Sequence, residues 1–198
     1  MRNHLFLPAL AAGLLLAGCA TPAYVSPVEV TRFVGQSDRF LGAGTIQIVP
    51  APGLDAESIE YGFYEDAVRM ELERLGYRVV LVNGGQIAQI AVDEYVSAPA
   101  GRRSPVSVGA GGSTGTYGSG VGLGIGFNLG GQPSERIERE VAVAIRPGDG
   151  GQNLWEGRAT MTATANSDFA TASQAAPRII SALFSGFPGT SGETIAVE

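Results

Sequence analysis

The side chains that could perform chemistry are few in this 198-residue chain, and their types limit what it can catalyse. Its single histidine, His4, and its single cysteine, Cys19, lie near the N-terminus, and all 13 Lys and Arg positions hold arginine. A Ser-His-Asp or Cys-His arrangement needs an imidazole to carry the proton, and Schiff-base chemistry and the phosphate-binding P-loop need lysine. Zinc and copper sites depend on His and Cys, so we expect no cofactor and no metal centre.

Carboxylates are the groups left for acid–base catalysis, as in the paired acids of a glycosidase. The acids that could converge on one site are Asp93, Glu94, Glu138 and Glu140, with Arg102 and Arg103 as anion contacts. Neighbours on a strand point to opposite faces, which weakens a pairing of Asp93 with Glu94. An exposed acidic strand face explains the same residues, so a hydrolase is the least favoured interpretation and we expect no enzyme.

Cys19 has a different use, because it ends a segment typical of a secretory signal. Arg2 precedes an apolar run of 12 residues from Leu5 to Leu16, and a bilayer-spanning helix needs about 20. The run ends in Leu-Ala-Gly-Cys, which resembles the bacterial lipobox. The resemblance implies cleavage between Gly18 and Cys19 and lipid attachment to the Cys19 thiol, which anchors a protein without a transmembrane helix. Ala20, in place of aspartate, implies sorting to the outer membrane.

These features divide the chain into a signal peptide at 1–18, a lipidated cysteine with a short tether at 19–27, and one periplasmic domain at 28–198. A glycine-rich insert occupies 101–131. The membrane is then a partner through the N-terminal lipid, and another envelope protein or a second copy is the other partner class. A net charge of −6 and a pI near 4.8 argue against nucleic acid, because no basic surface neutralises phosphates.

Hydrophobic periodicity predicts the elements that position these residues. Clean alternation predicts a hairpin from Ile137–Arg146 and Asn153–Ala165, joined by a Pro-Gly turn, with Trp155, Ala159, Met161 and Ala163 facing inward. Shorter strands are predicted at Val28–Phe33, Thr45–Val49, Tyr77–Val82, Gln89–Val96 and Thr194–Val197. Helices are predicted from Ala56 to Leu75, capped by Asp55 and Gly76, and after Asp168. The fold class is therefore an α/β (α+β) two-layer domain, in which two helices pack on a mixed or mainly antiparallel sheet.

The first predicted helix carries two apolar stripes. One consists of Ile59, Phe63, Ala67 and Met70, and the other of Tyr61, Tyr64, Val68, Leu72 and Leu75. The favoured interpretation buries both stripes in the core. If the tyrosine stripe is exposed, its aromatic residues make Tyr61, Tyr64, Val68 and Leu72 the candidate partner surface.

The insert holds 12 of the 29 glycines, and its second half alternates large apolar residues with glycine. The apolar positions are Val121, Leu123, Ile125, Phe127 and Leu129. Three interpretations stay open: a mobile loop or protruding hairpin, a flat strand against which another backbone packs, and a membrane-facing strand of about the 9–11 residues that a transmembrane β-strand takes. The preceding Val106–Gly112 looks like a poor partner strand.

Several short motifs together resemble a known family. They are the lipobox, Leu-Gly-Tyr at the end of the first predicted helix (Leu75–Tyr77), Leu-Trp-x-Gly at the start of a predicted strand (Leu154–Gly157), and Phe-Pro-Gly after the last predicted helix (Phe187–Gly189). The chain resembles the bacterial envelope lipoproteins called domain of unknown function 4136. The resemblance implies a periplasmic α/β domain and carries over no catalytic residues.

The sequence therefore favours an outer-membrane lipoprotein with a non-catalytic binding or scaffolding role in the cell envelope. The first alternative is a subunit of an oligomeric export or pore-like assembly, and the second is the carboxylate-dependent hydrolase.

Overall fold

A computed structural model describes residues 21–36, 40–97, 106–115, 118–127 and 134–198. The chain divides into two compact units, which are described separately. One comprises Ala23–Ala98 and Glu135–Glu198 and is called the main unit; the other comprises Met1–Pro22 and Pro99–Ser134.

The main unit is built on a seven-stranded sheet. Its strands are β1 (Val28–Val34), β2 (Thr45–Pro50), β3 (Arg78–Val80), β4 (Gln86–Ser97), β7 (Arg136–Pro147), β8 (Trp155–Thr164) and β9 (Thr194–Val197). The spatial order is β3-β2-β4-β7-β8-β1-β9; β2 is parallel to β3 and β4, and the other pairs are antiparallel. The predicted β7–β8 hairpin is confirmed, and Trp155, Ala159, Met161 and Ala163 are buried as predicted.

Two helices cover one face of this sheet: α1 (Ile59–Arg74) and α2 (Ala172–Phe184). The two-layer α+β fold that the sequence predicted is therefore confirmed. Helix α1 begins later than predicted, because Ser58 is its N-cap and accepts a 3.1 Å hydrogen bond from the Tyr61 amide. Asp55 instead accepts from the Glu57 amide at 2.9 Å in the preceding turn. Gly76 adopts φ +104° after the helix, the left-handed conformation predicted there.

Aromatic stacking closes the core where α2 ends. The Trp155 ring stacks on Phe184 at 5.2 Å between centroids and packs against Phe187 at 5.1 Å. The Trp155 indole N–H donates to the Pro188 carbonyl at 2.9 Å, so a buried polar atom is satisfied. Arg32 is also buried there and donates to the carbonyls of Ala182 and Leu183, where a helix C-terminus favours a cation.

The second unit contains an antiparallel pair, β5 (Val106–Gly115) and β6 (Gly118–Phe127). Every residue of β5 has a partner in β6, so the prediction that Val106–Gly112 is a poor partner strand is wrong. Opposed residues share a face of a ladder. The register pairs Val121 with Gly112, Leu123 with Ala110, Ile125 with Val108 and Phe127 with Val106. Leu129, Arg102 and Arg103 lie outside the described residues.

Candidate functional site

One edge of the main unit receives both the N-terminal chain and the insert. Tyr24 is bonded to Thr164, the last residue of β8, through its amide to Thr164 Oγ1 and its carbonyl to the Thr164 amide, both at 2.9 Å. Arg136, the first residue of β7, places its guanidinium 5.9 Å from the centre of the Tyr24 ring. Ser97, the last residue of β4, pairs with Arg136. We call this edge, defined by Tyr24, Ser97, Arg136 and Thr164, the insert edge.

The prediction that the tyrosine stripe of α1 forms a partner surface is wrong. Tyr61 is 3% exposed and Tyr64, Val68 and Leu72 are fully buried, so this stripe faces the sheet and belongs to the core. The prediction that both stripes are buried is also wrong. Ile59 and Met70 are 82% and 68% exposed, and Phe63 is partly exposed. Ala67 is the one buried residue of the stripe that also contains Ile59, Phe63 and Met70.

The exposed stripe borders a groove between the two helices. The groove has a volume of about 320 Å³ and lies between Phe63, Ala67 and Met70 of α1 and Pro177 and Ser181 of α2. Asp66 and Glu71 complete its lining.

The acids that the sequence predicted as a group are divided between the two faces of the sheet. Glu94 lies on the face that carries the helices, opposite Arg139, and its carboxylate is 2.8 Å from the Arg139 Nη2. Asp93 and Glu140 are opposed on the other face, and Glu138 lies on that face opposite Tyr95. Glu140 pairs with Arg158 at 3.1 Å. The four acids therefore do not converge on one site.

A small pocket lies near the insert edge, beside Glu94. Its volume is about 120 Å³, and it is lined by Leu54, Ser58, Glu60, Tyr61, Tyr64, Val92 and Glu94. Leu54 lies in the turn after β2, Val92 and Glu94 lie in the second half of β4, and the other residues lie at the start of α1. Ligands of open α/β sheets characteristically bind at the carboxyl ends of parallel strands. We call it the tyrosine pocket.

Arg139 supports the wall of the tyrosine pocket. It is 3% exposed, and besides Glu94 it donates to the carbonyls of Phe169 and Ala170 at 3.0 and 2.7 Å. The Tyr61 hydroxyl is buried and has no hydrogen-bond partner among the described residues. Polar atoms buried in this way are rare in proteins and call for an explanation.

Burial also changes the acidity of the two phenols. It raises the pKa of Tyr61 and of Tyr64 to about 12. The negative charge of Glu65 adds to the increase at Tyr61, whereas the positive charge of Arg139 opposes it at Tyr64. Both hydroxyls are therefore protonated at neutral pH and able to donate a hydrogen bond.

Sequence reasoning missed Glu60, Arg139 and the tyrosine pocket. One signal was present: Arg139 occupies an inward position of the alternation that places Ile137, Val141, Val143 and Ile145 on one face. A charge at an inward position implies a buried partner, and Glu94 is that partner.

A larger cavity of about 590 Å³ lies at the opposite end of the sheet. Its lining is mostly apolar and backbone, and includes Phe40, Gly44, Gln86, Pro147 and Leu154. The Gln86 amide donates to the carbonyls of Phe40 and Ala43 at 2.9 and 3.0 Å, so its polar atoms are used within the fold.

Comparisons with known proteins leave the family open. No protein-family model matches the chain, so the resemblance to domain of unknown function 4136 stays a prediction. The chain is 28% identical over 217 aligned positions to an uncharacterized protein of Zymomonas mobilis. The alignment covers 87% of this chain and 80% of that protein.

Two kinds of solved structure are similar in fold. A PDZ domain protein from Parabacteroides distasonis has a TM-score of 0.48 and 12% identity over 96% of this chain, which spans only 41% of that protein's chain. PelC from Paraburkholderia phytofirmans, solved as a dodecamer, has a TM-score of 0.42 and 14% identity over 80% of this chain and 95% of that one. At these values neither carries an argument about function. In the part of the chain that the structure describes, no helix is long and apolar enough to cross a membrane.

Proposed function

We propose that this protein is an outer-membrane-anchored periplasmic lipoprotein with a non-catalytic binding or scaffolding role, in which the lipid anchor holds the insert edge toward the membrane. The observation that carries the proposal is the shared edge: Tyr24 lies together with Ser97 and Arg136, the strand residues on either side of the insert.

The reach of the tether supports this orientation. Only residues 20–23 separate Cys19 from Tyr24, and an extended chain spans at most about 3.3–3.6 Å per residue. A lipid on Cys19 would therefore keep Tyr24 within roughly 20 Å of its attachment point. Because Tyr24 is fixed to Thr164, the insert would leave and re-enter the main unit close to the membrane surface.

The anchor is tested by substitution of Cys19 and of its neighbour. We expect Cys19→Ser to abolish incorporation of labelled palmitate and to release the protein from the membrane fraction. Ala20→Asp should retain the label but move the protein to the inner membrane, and Ala20→Ser is the matched control that stays in the outer membrane. A Cys19→Ser protein that still carries label in the outer membrane would contradict the proposal.

A second candidate function, the oligomeric export or pore-like assembly, is favoured by the β5–β6 ladder. Its two strands have ten residues each, and apolar residues alternate with glycine along β6. Strands of this length match the 9–11 residues of a membrane-crossing strand. This candidate predicts large rings in mild detergent that collapse when 104–131 is deleted. A monomer or small oligomer both with and without the insert would exclude the pore-like assembly and favour the scaffolding role.

A further inference from the structure

Large apolar side chains are exposed along one face of helix α1. Ile59, Phe63 and Met70 are separated by four and then seven residues, spacings that place side chains on the same side of a helix. The helix rises about 16 Å from Ile59 to Met70, which is three turns. An exposed apolar stripe of this length is characteristic of a surface on which another molecule packs.

The groove beside this stripe has unequal walls. Phe63 and Met70 form its α1 side, the shorter side chains of Pro177 and Ser181 form its α2 side, and the buried Ala67 also lines it. We call it the interhelical groove. Its volume is about 320 Å³. Amphipathic helices bind other proteins by laying apolar residues at intervals of three, four and seven positions into such a groove.

The charges on α1 are unbalanced, because the helix has five acidic residues and two arginines: Glu60, Glu65, Asp66, Arg69, Glu71, Glu73 and Arg74. Both arginines are paired within the helix, Arg69 with Glu65 and Arg74 with Glu71. Among the described residues, Asp66 and Glu73 are in no ion pair. They are seven residues apart on the face that carries the stripe, and Asp66 lines the groove.

These unpaired carboxylates select among the molecules that could cover the stripe. A second copy bound across a two-fold axis would bring the same acidic face against itself, so Asp66 and Glu73 would meet like charges. A membrane surface rich in anionic lipids would be repelled in the same way. An amphipathic helix with lysine or arginine beside its apolar face complements both the stripe and the acids.

We propose that the interhelical groove docks a cationic amphipathic helix of another protein, with apolar residues against Phe63 and Met70 and basic residues beside Asp66 and Glu73. The proposal names a partner class for the binding role under "Proposed function" and rests on that role, but it does not depend on the lipid anchor.

The test is photo-cross-linking of the full-length protein, in an uncharged detergent, to a synthetic helix of about 14 leucine and lysine residues, which is long enough to cover the stripe. One apolar position of the peptide carries a benzophenone, and mass spectrometry locates the cross-linked residue. We expect cross-links to α1 between Phe63 and Met70 and to α2 near Pro177 and Ser181. Cross-links confined to other parts of the protein would overturn the proposal.

A second peptide, with glutamate in place of every lysine, separates charge from apolar contact. We expect it to cross-link to the groove at least about tenfold less, because its acids would face Asp66 and Glu73. Equal cross-linking by the two peptides would reveal a surface that recognises only apolar character, and would overturn the proposal. A dimer that forms without peptide and is lost in Met70→Ser would overturn it in favour of a second copy.

Matched pairs of variants test the two contributions. Asp66→Asn/Glu73→Gln should reduce groove cross-linking about threefold to tenfold, whereas Glu29→Gln/Glu138→Gln removes the same charge from the sheet face away from the helices and should leave it unchanged. Met70→Ser should reduce it similarly, and Leu81→Ser is the control, because Leu81 is 82% exposed but lies after β3. Equal loss within either pair would overturn the proposal. None of these readouts requires a lipid on Cys19, so a failure of the anchor would leave them unaffected.

Discussion

Two buried arginines of the main unit hold neighbouring elements together. Arg32 and Arg139 are buried and donate to carbonyl groups at the ends of α2 and of the 3₁₀ turn before it. The glycines of the Leu-Gly-Tyr and Phe-Pro-Gly motifs also have structural roles. Gly76 has φ +104°, and Gly189 has φ +79° with Arg32 Cδ only 2.8 Å from where a Cβ would lie. The Leu-Gly-Tyr and Phe-Pro-Gly motifs are therefore explained by backbone conformation and close packing.

The stability of the main unit should fall at alkaline pH because of Tyr61 and Tyr64. Unfolded tyrosine ionises near pH 10, whereas burial raises the pKa of both residues to about 12. Between these values the unfolded state releases protons that the folded state retains. The free energy of unfolding should then fall by about 1.4 kcal/mol per pH unit for each tyrosine. Urea denaturation at stepped pH measures this loss, and Tyr61→Phe/Tyr64→Phe should reduce the slope; an unchanged slope would contradict the assignment.

At the scale of elements, the strands were predicted better than the first helix. The alternation in β7 and β8 leaves one way to bury apolar residues, so the hairpin and its inward-facing residues followed from the sequence. Helix α1 has two apolar stripes of similar composition, and only tertiary packing decides that the tyrosine stripe is buried. Its start was misplaced because Asp55 and Ser58 are both residues that cap helices, and local sequence does not rank them.

Two glycine substitutions test the packing of these elements. Gly157→Ala should destabilise the main unit by about 1–3 kcal/mol, because the new Cβ would clash with the Trp155 ring and lie 2.7 Å from Leu183 Cδ1. Gly62→Ala in α1 is the matched control. Its Cβ would have no neighbour within 4 Å, so the helix should gain about 0.5–1 kcal/mol. Thermal unfolding of the two variants should shift in opposite directions, and a shared direction would refute this description of the core.

At the scale of the whole molecule, the division into signal, tether, domain and insert stays a prediction, and the sequence analysis did not predict the shared edge. That edge depends on the strand order, in which β7 separates β4 from β8, and on the contact between Tyr24 and Arg136. Neither has a local sequence signal. The pairing of β5 with β6 was also missed, because alternating glycine leaves little pattern from which to recognise a partner strand.

The central claim is that the lipid anchor turns the insert edge toward the membrane. Cys19 is the only cysteine, and the proposed lipid would occupy its thiol, so single cysteines introduced at exposed positions could be labelled selectively. Ser97→Cys places a fluorophore at the insert edge. Asp149→Cys places one in the turn beyond the far end of β7, about 35 Å away along a strand of 12 residues.

The measurement is quenching of each fluorophore by nitroxide-labelled lipid headgroups in vesicles carrying the lipidated full-length protein. The proposal predicts strong quenching at position 97 and little at position 149, and loss of quenching at 97 when the lipid is absent. Equal quenching at the two positions, or stronger quenching at 149, would contradict it.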